Sequence, residues 1–204
     1  MARIQDLFVT RNYREDDAGN AKLNYDLETA ALSLSKTDRA GQRWSEKHGY
    51  PGYTSYASLN GPPGQMPVFA RLVKMIDRHA LAFARQLHWD LRGTRPVCDS
   101  LWVNVMPEGG SHTSHLHTNA VISGTYYVAV PDGAGPIVYE DPRHAMMMAA
   151  PPRLASAPRE FQTHVSETPK PGTLLLWESW LRHEVPLNRA EGNRISVSFN
   201  YCLG

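Results

Sequence analysis

Arg194-Ile195-Ser196-Val197-Ser198-Phe199-Asn200-Tyr201 alternates without interruption between polar and apolar side chains. Successive side chains of a β-strand point to opposite faces, so this stretch is a strand with two chemically distinct sides. Ile195, Val197, Phe199 and Tyr201 need a core or a helix layer against them. Arg194, Ser196, Ser198 and Asn200 occupy the other side. Buried polar groups need partners, so a strand covered on both sides must turn its polar face toward a wet cavity.

Upstream, the same period recurs. Leu101, Val103 and Val105 alternate with Trp102, Asn104 and Met106, and Val121–Val130 is β-branched and aromatic. Pro131-Asp132-Gly133-Ala134-Gly135 is a turn, after which Ile137-Val138-Tyr139 resumes extended structure. Short strands are expected at Phe161–Val165, Thr173–Trp177 and Arg182–Val185. With one through Ser111–His117, about eight strands follow residue 97, a spacing that suggests a sandwich or barrel. The first half has a helical period instead. Leu23, Leu27, Ala30, Ala31 and Leu34 predict one helix, with Asn24 as its cap and Asp26 and Glu28 in its first turn. Phe69, Leu72, Val73, Ile76, Ala80, Phe83, Ala84 and Leu87 predict a second, opened by Pro67. Residues 35–65 read as a long irregular segment. The expected class is α+β, mainly β, with the helices on one outer face of the sheet.

The 204 residues fit one domain, 1–204, in which 1–96 form helical and loop support and 97–204 a β-barrel core. A net charge of +1 leaves no basic footprint for nucleic acid. No apolar run is long enough to span a bilayer, and Met1–Asp6 lacks the apolar core of a signal peptide. Cys98 and Cys202 are too few for a disulfide framework or a thiolate zinc site. The expectation is a cytoplasmic protein, with a homodimer as the commonest assembly.

Three of the nine histidines crowd into Ser111-His112-Thr113-Ser114-His115-Leu116-His117. His115 and His117, two apart, project together from one strand and can chelate one metal; neutral imidazole suits Fe, Zn, Cu and Ni. His183 is the best third ligand, with sites built on Asn119 or Asp141 as the alternatives. His112 reads as an ordinary structural histidine, as do His48, His79, His88, His144 and His164. On the polar face of the last strand, Arg194 with Ser196 has the chemistry to bind a dicarboxylic acid, since guanidinium is the best bidentate partner of a carboxylate. Met146–Met148 reads as loop or packing filler.

These pieces, in order, resemble the 2-oxoglutarate/Fe(II)-dependent dioxygenases, and more narrowly a family of small 2-oxoglutarate/Fe(II) oxygenases of bacteria and phages. The stretches that carry the resemblance are His115-Leu116-His117-Thr118-Asn119, Ser123–Val128, Asp141-Pro142-Arg143, Gly172–Leu176, Ser179–Val185 and Arg194–Tyr201, with Arg194 eleven positions after His183. The resemblance implies a double-stranded β-helix, a jelly-roll or cupin-like barrel. It implies that His115, His117 and His183 hold Fe(II), and that Arg194, assisted by Ser196 and Tyr127, holds the 5-carboxylate of 2-oxoglutarate. It further implies O2 as partner and a hydroxylation of a small molecule or protein side chain coupled to decarboxylation of 2-oxoglutarate. The broad superfamily has a carboxylate where this chain has His117. That departure keeps open a three-histidine dioxygenase that does without 2-oxoglutarate. A non-enzymatic cupin-like module binding metal or a small acid is a third reading, since all three share the barrel. Residues 35–65, with Trp44, Tyr50, Tyr53 and Tyr56, are a candidate lid. Deletion of residues 48–60 is expected to abolish substrate-coupled turnover and spare uncoupled turnover; loss of both would count against a lid.

Overall fold

The computed structural model describes residues 2–59 and 66–204. Among the described residues, ten strands form two antiparallel sheets. The strands are β1 (Asn12–Glu15), β2 (Tyr53–Thr54), β3 (Pro96–Met106), β4 (His112–His115), β5 (Ile122–Ala129), β6 (Ile137–Glu140), β7 (His164–Glu167), β8 (Leu174–Glu178), β9 (His183–Val185) and β10 (Arg194–Leu203). The larger sheet has the order β1-β8-β5-β10-β3-β2 and the smaller β4-β9-β6-β7. Strand β10 lies between β3 and β5, with Ser196 opposite Asn104 on one side and Tyr127 on the other.

The alternation of β10 decides what each face of the large sheet meets. Ile195, Val197, Phe199 and Tyr201 are buried in one cluster with Leu101, Val103 and Val105 of β3 and with the helices. The opposite face of the same strands turns toward the small sheet. Tyr127, Leu175 and Trp177 there pack with Ile137 and Tyr139 of β6. The helices α1 (Ala21–Thr37) and α3 (Pro67–Gln86) cover the outer face, as expected. Leu72, Ile76 and Phe83 of α3 are almost wholly buried, each contributing about 2 kcal/mol through removal of apolar surface from water. Pro67 stands at the start of α3, where its missing N–H costs nothing.

Three local expectations are corrected. Helix α1 begins a turn earlier than predicted: Asn20 is its cap, accepting from Leu23 N–H at 2.8 Å. Asn24 instead accepts a hydrogen bond from the Tyr126 hydroxyl at 2.5 Å, and Asp26 pairs with Arg71 of α3 at 2.7 Å. Residues 35–59 are not irregular, since they contain the rest of α1, a further helix α2 (Arg39–Lys47) and β2; residues 60–65 of that expected segment lie outside the described residues. Helix α2 has no apolar stripe to betray it. Its start is fixed by Asp38, which accepts from Ala40 and Gly41 N–H at 3.2 and 3.1 Å, and Gly41 is needed because a Cβ there would sit 2.9 Å from the Thr54 carbonyl oxygen. Deletion of residues 48–60 would also remove β2 and the buried Tyr53, Thr54 and Ser55, so point variants are the proper test of the mouth.

The two sheets remain separate, and side chains tie their edges. Glu167 of β7, 8% exposed, accepts from Arg14 of β1 at 2.9 Å and from Arg159 at 2.5 Å. At the opposite edge the Tyr50 hydroxyl is hydrogen-bonded to Nε2 of His112 on β4 at 2.8 Å. Met146 and Met148 are 76% and 94% exposed, so they belong to a loop and fill no packing gap.

Gly124 lies in the interior of β5 because the Phe199 ring covers it. A Cβ at that position would meet the ring at 2.5 Å and the Leu175 carbonyl oxygen at 2.6 Å. Overpacking of this kind costs about 1–3 kcal/mol, so Gly124→Ala is expected to lower the urea midpoint accordingly; an unchanged midpoint would show that Phe199 can move aside freely.

Candidate metal and cosubstrate site

His115 ends β4 and is the cross-strand partner of His183, which opens β9. His117 lies beyond the end of β4, held by its N–H donating to the Ser179 carbonyl at 3.0 Å. The expected i, i+2 pair therefore converges although the strand stops between its members. Ring centroids lie 4.4 Å apart for His115 and His183, and 5.3 Å for His117 with either of the others. One nitrogen from each ring falls within 4.8 Å of the other two, a group that could hold one metal ion.

Hydrogen bonds fix which nitrogen is free. His183 Nδ1 lies 2.9 Å from the Leu181 carbonyl oxygen and His115 Nδ1 lies 2.7 Å from that of Thr113. A carbonyl only accepts, so in both rings Nδ1 carries the proton and Nε2 keeps the lone pair that a metal needs. Burial, then the neighbouring His115, holds His183 down to about 3 and His117 down to about 4. Both are therefore neutral ligands at physiological pH.

Deeper in the same cleft, Arg194 is 2% exposed. Its Nε and Nη2 have no hydrogen-bond partner among the described residues, and neither has the Tyr127 hydroxyl. The guanidinium carbon stands 4.9 Å from the centroid of the Tyr127 ring. Ser196, also 2% exposed, lines the cleft beside them. A buried cation with two free N–H groups is costly unless an anion completes it, and no Asp or Glu is among the described residues lining this cleft of about 430 Å3, its open mouth included. The donor sets thus fit both a divalent metal and a carboxylate-bearing ligand.

The alternative ligands stand apart. Asp141 is engaged by Arg143, whose Nε and Nη2 reach its two oxygens at 3.0 and 2.8 Å. Asn119 is exposed, in the turn after His117. Of the candidate lid, Tyr50 and Tyr56 reach toward the cleft through His112 and Trp102. Tyr53 does not: it is 6% exposed in the helix-side core and donates to Asp38 at 2.9 Å.

Sequence reasoning missed His112, which lines the cleft. Three positions from His115, it should face the other way in a regular strand, but a register irregularity between the two brings it to the same side. Trp102 and Trp177 also line the cleft, and the alternation of their strands was signal enough to place them inward.

Residues 100–200 match the family model described as "Putative 2OG-Fe(II) oxygenase". Residues 100–200 belong to that family. The cofactors of such an oxygenase are Fe(II) and 2-oxoglutarate, and the chain is an oxidoreductase of that kind. No curated protein matches the sequence. Among solved structures, a prolyl-4-hydroxylase from Pseudomonas putida is similar over 95% of this chain and 92% of its own, with 17% identity and a TM-score of 0.58. HygX from Streptomyces hygroscopicus, solved with nickel, 2-oxoglutarate and hygromycin B, matches over 95% and 83%, with 16% identity and a TM-score of 0.62. EctD from S. alaskensis matches over 95% and 73%, with 18% identity and a TM-score of 0.64. At these identities the likeness is one of fold, and the fold is the jelly roll. No described helix of this oxygenase is long and apolar enough to cross a membrane.

The depressed histidines make the metal-free protein sensitive to mild acid. Burial also holds His112 down to about 3. Unfolded, each imidazole takes a proton near pH 6.5; folded, these three resist until about pH 3–4. The unfolded state thus binds more protons throughout that window, and stability falls as pH drops below 6.5. Urea midpoints of metal-free protein should decline between pH 7 and pH 5, above most carboxylate titration, and His112→Asn should flatten the decline; a flat wild-type profile would contradict the neutral-histidine assignment.

Proposed function

We propose that this protein is a 2-oxoglutarate-dependent hydroxylase in which His115, His117 and His183 hold Fe(II), and Arg194, with Ser196 and Tyr127, holds the far carboxylate of 2-oxoglutarate. The observation that carries the reading is the buried Arg194 guanidinium with two unpartnered nitrogens in the same cleft as the three histidines. Held by these residues, iron and 2-oxoglutarate would supply the oxidising chemistry, with O2 consumed and 2-oxoglutarate converted to succinate and CO2. The chain's own part is positional. The three imidazoles would hold the metal and, being only three, would leave it able to take small ligands as well. The backbone carbonyls of Thr113 and Leu181 keep Nε2 of His115 and His183 unprotonated and aimed. Arg194, 2% exposed, would orient a dicarboxylate by a charge-assisted pair. Trp102, Trp177, Ile137 and Val185 wall the cleft and exclude solvent from the reacting centre.

The test is spectroscopic. Anaerobic protein with Fe(II) and 2-oxoglutarate should develop the weak visible charge-transfer band of the chelate, absent in His183→Ala. Arg194→Met should raise the Kd of 2-oxoglutarate on the order of 100-fold, the loss of two charge-assisted hydrogen bonds. The same variant, freed of an unpaired buried charge, should melt at or above the wild-type temperature when ligand-free. Tight iron binding with no band, together with O2 uptake indifferent to 2-oxoglutarate, would replace this reading with the three-histidine dioxygenase.

A further inference from the structure

The oxygenase reading leaves one wall of the cleft unexplained. A ladder of aromatic rings leads from the surface to His117. Trp44 and Tyr56 have centroids 6.0 Å apart, Tyr56 meets Trp102 edge-on at 5.4 Å, and Trp102 lies 5.8 Å from His117. Tyr56 is 44% exposed and Trp102 7%, so the ladder runs from the mouth inward. Beside it stands a second pair, Tyr50 against His112, centroids 5.2 Å apart.

The polar groups of this wall mostly satisfy one another. Asn104 accepts from the Tyr50 hydroxyl at 3.4 Å and donates to Ser198 at 3.2 Å, and Ser198 shares a hydrogen bond with Thr125 at 3.1 Å. His112 uses Nε2 on Tyr50, and its Nδ1 forms no hydrogen bond among the described residues. The wall therefore offers flat apolar surface and one free polar atom. Charge narrows the choice further. With no carboxylate among the described lining residues, an ammonium group would lack a counter-ion beside Arg194 and the metal. An anion would compete for Arg194, which 2-oxoglutarate already neutralises.

We infer that the substrate of this oxygenase presents an uncharged ring bearing a hydrogen-bonding substituent, packed on Trp102 and Tyr56 and held through Nδ1 of His112. Aromatic faces recognise flat rings by stacking and edge contacts, and a free ring nitrogen on the cleft wall gives a ligand with a matching polar substituent one further hydrogen bond. Burial at the mouth of a cleft with few convergent polar groups is the usual form of a small-molecule site. The inference rests on the proposed function for the place of the metal, and on the aromatic wall alone for the class of ligand.

The experiment uses anaerobic protein loaded with Fe(II) and saturating 2-oxoglutarate, and three probes that share one ring: 4-nitrobenzyl alcohol, 4-nitrobenzylammonium and 4-nitrobenzoate. Equilibrium dialysis, read by the nitro absorbance, gives each Kd. The alcohol should bind at least about tenfold more tightly than either ion. Trp102→Leu and His112→Ala should each weaken the alcohol severalfold or more, while Trp102→Phe, which keeps a ring, should restore most of the affinity and serves as control for folding. Equal or tighter binding of the ammonium probe, absence of saturable alcohol binding, or wild-type affinity in Trp102→Leu would each overturn the inference. The visible band recorded on the same samples separates the two readings. Band without alcohol binding sinks the ring site alone; alcohol binding without the band sinks the metal and cosubstrate assignment and leaves the ring site standing.

Discussion

Strand β10 has to satisfy two environments at once, and the rest of the molecule is arranged around that demand. Its apolar side chains are buried against α1 and α3, and its polar ones face the small sheet. Because the side-chain period of a strand is two, a slip of one residue would drive Arg194 into the helix-side core and Ile195 into the cavity. Neighbours on both sides hold the register, with β3 paired along nearly the whole of β10 and β5 along most of it. A cavity in the middle of a jelly roll is thus a consequence of polar residues on the inward face, which cannot close up as an apolar core would.

The small sheet contributes His115 and His183 of the candidate metal site. Its strands are short, β9 having only three residues, and little apolar surface of their own anchors them. Position comes from the cross-strand pairing of His115 with His183 and from the edge contacts of Glu167 and of His112 with Tyr50. Both edge contacts are polar and partly buried, so they specify how the sheets meet more than they add to stability.

What could be read from the sequence follows the same division. Long segments with one clear period were legible: α3, β3, β5 and β10 stand where their patterns put them. So was the grouping of His115, His117 and His183, because spacing on one strand and a distant histidine leave few other arrangements. Elements whose stability comes from elsewhere were not legible. Asn12-Tyr13-Arg14-Glu15 forms an edge strand with hardly an apolar residue, held by pairing to β8 and by Glu167. Helix α2 owes its place to Asp38 and to contact of Gly41 with β2. His112 was hidden by an irregularity in β4, which local pattern cannot announce.

Two of the three clustered imidazoles are steered by the same device, a hydrogen bond from Nδ1 to the carbonyl two residues earlier in the chain. Many metal sites assign that task to a carboxylate side chain, which a single base change can remove. Here the orienting group is main chain, present whatever residue occupies positions 113 and 181. Ring orientation is therefore inherited with the strand itself, and evolution is left free to vary the surrounding side chains, and with them the chemistry admitted to the cleft, without first having to preserve an outer shell around the metal.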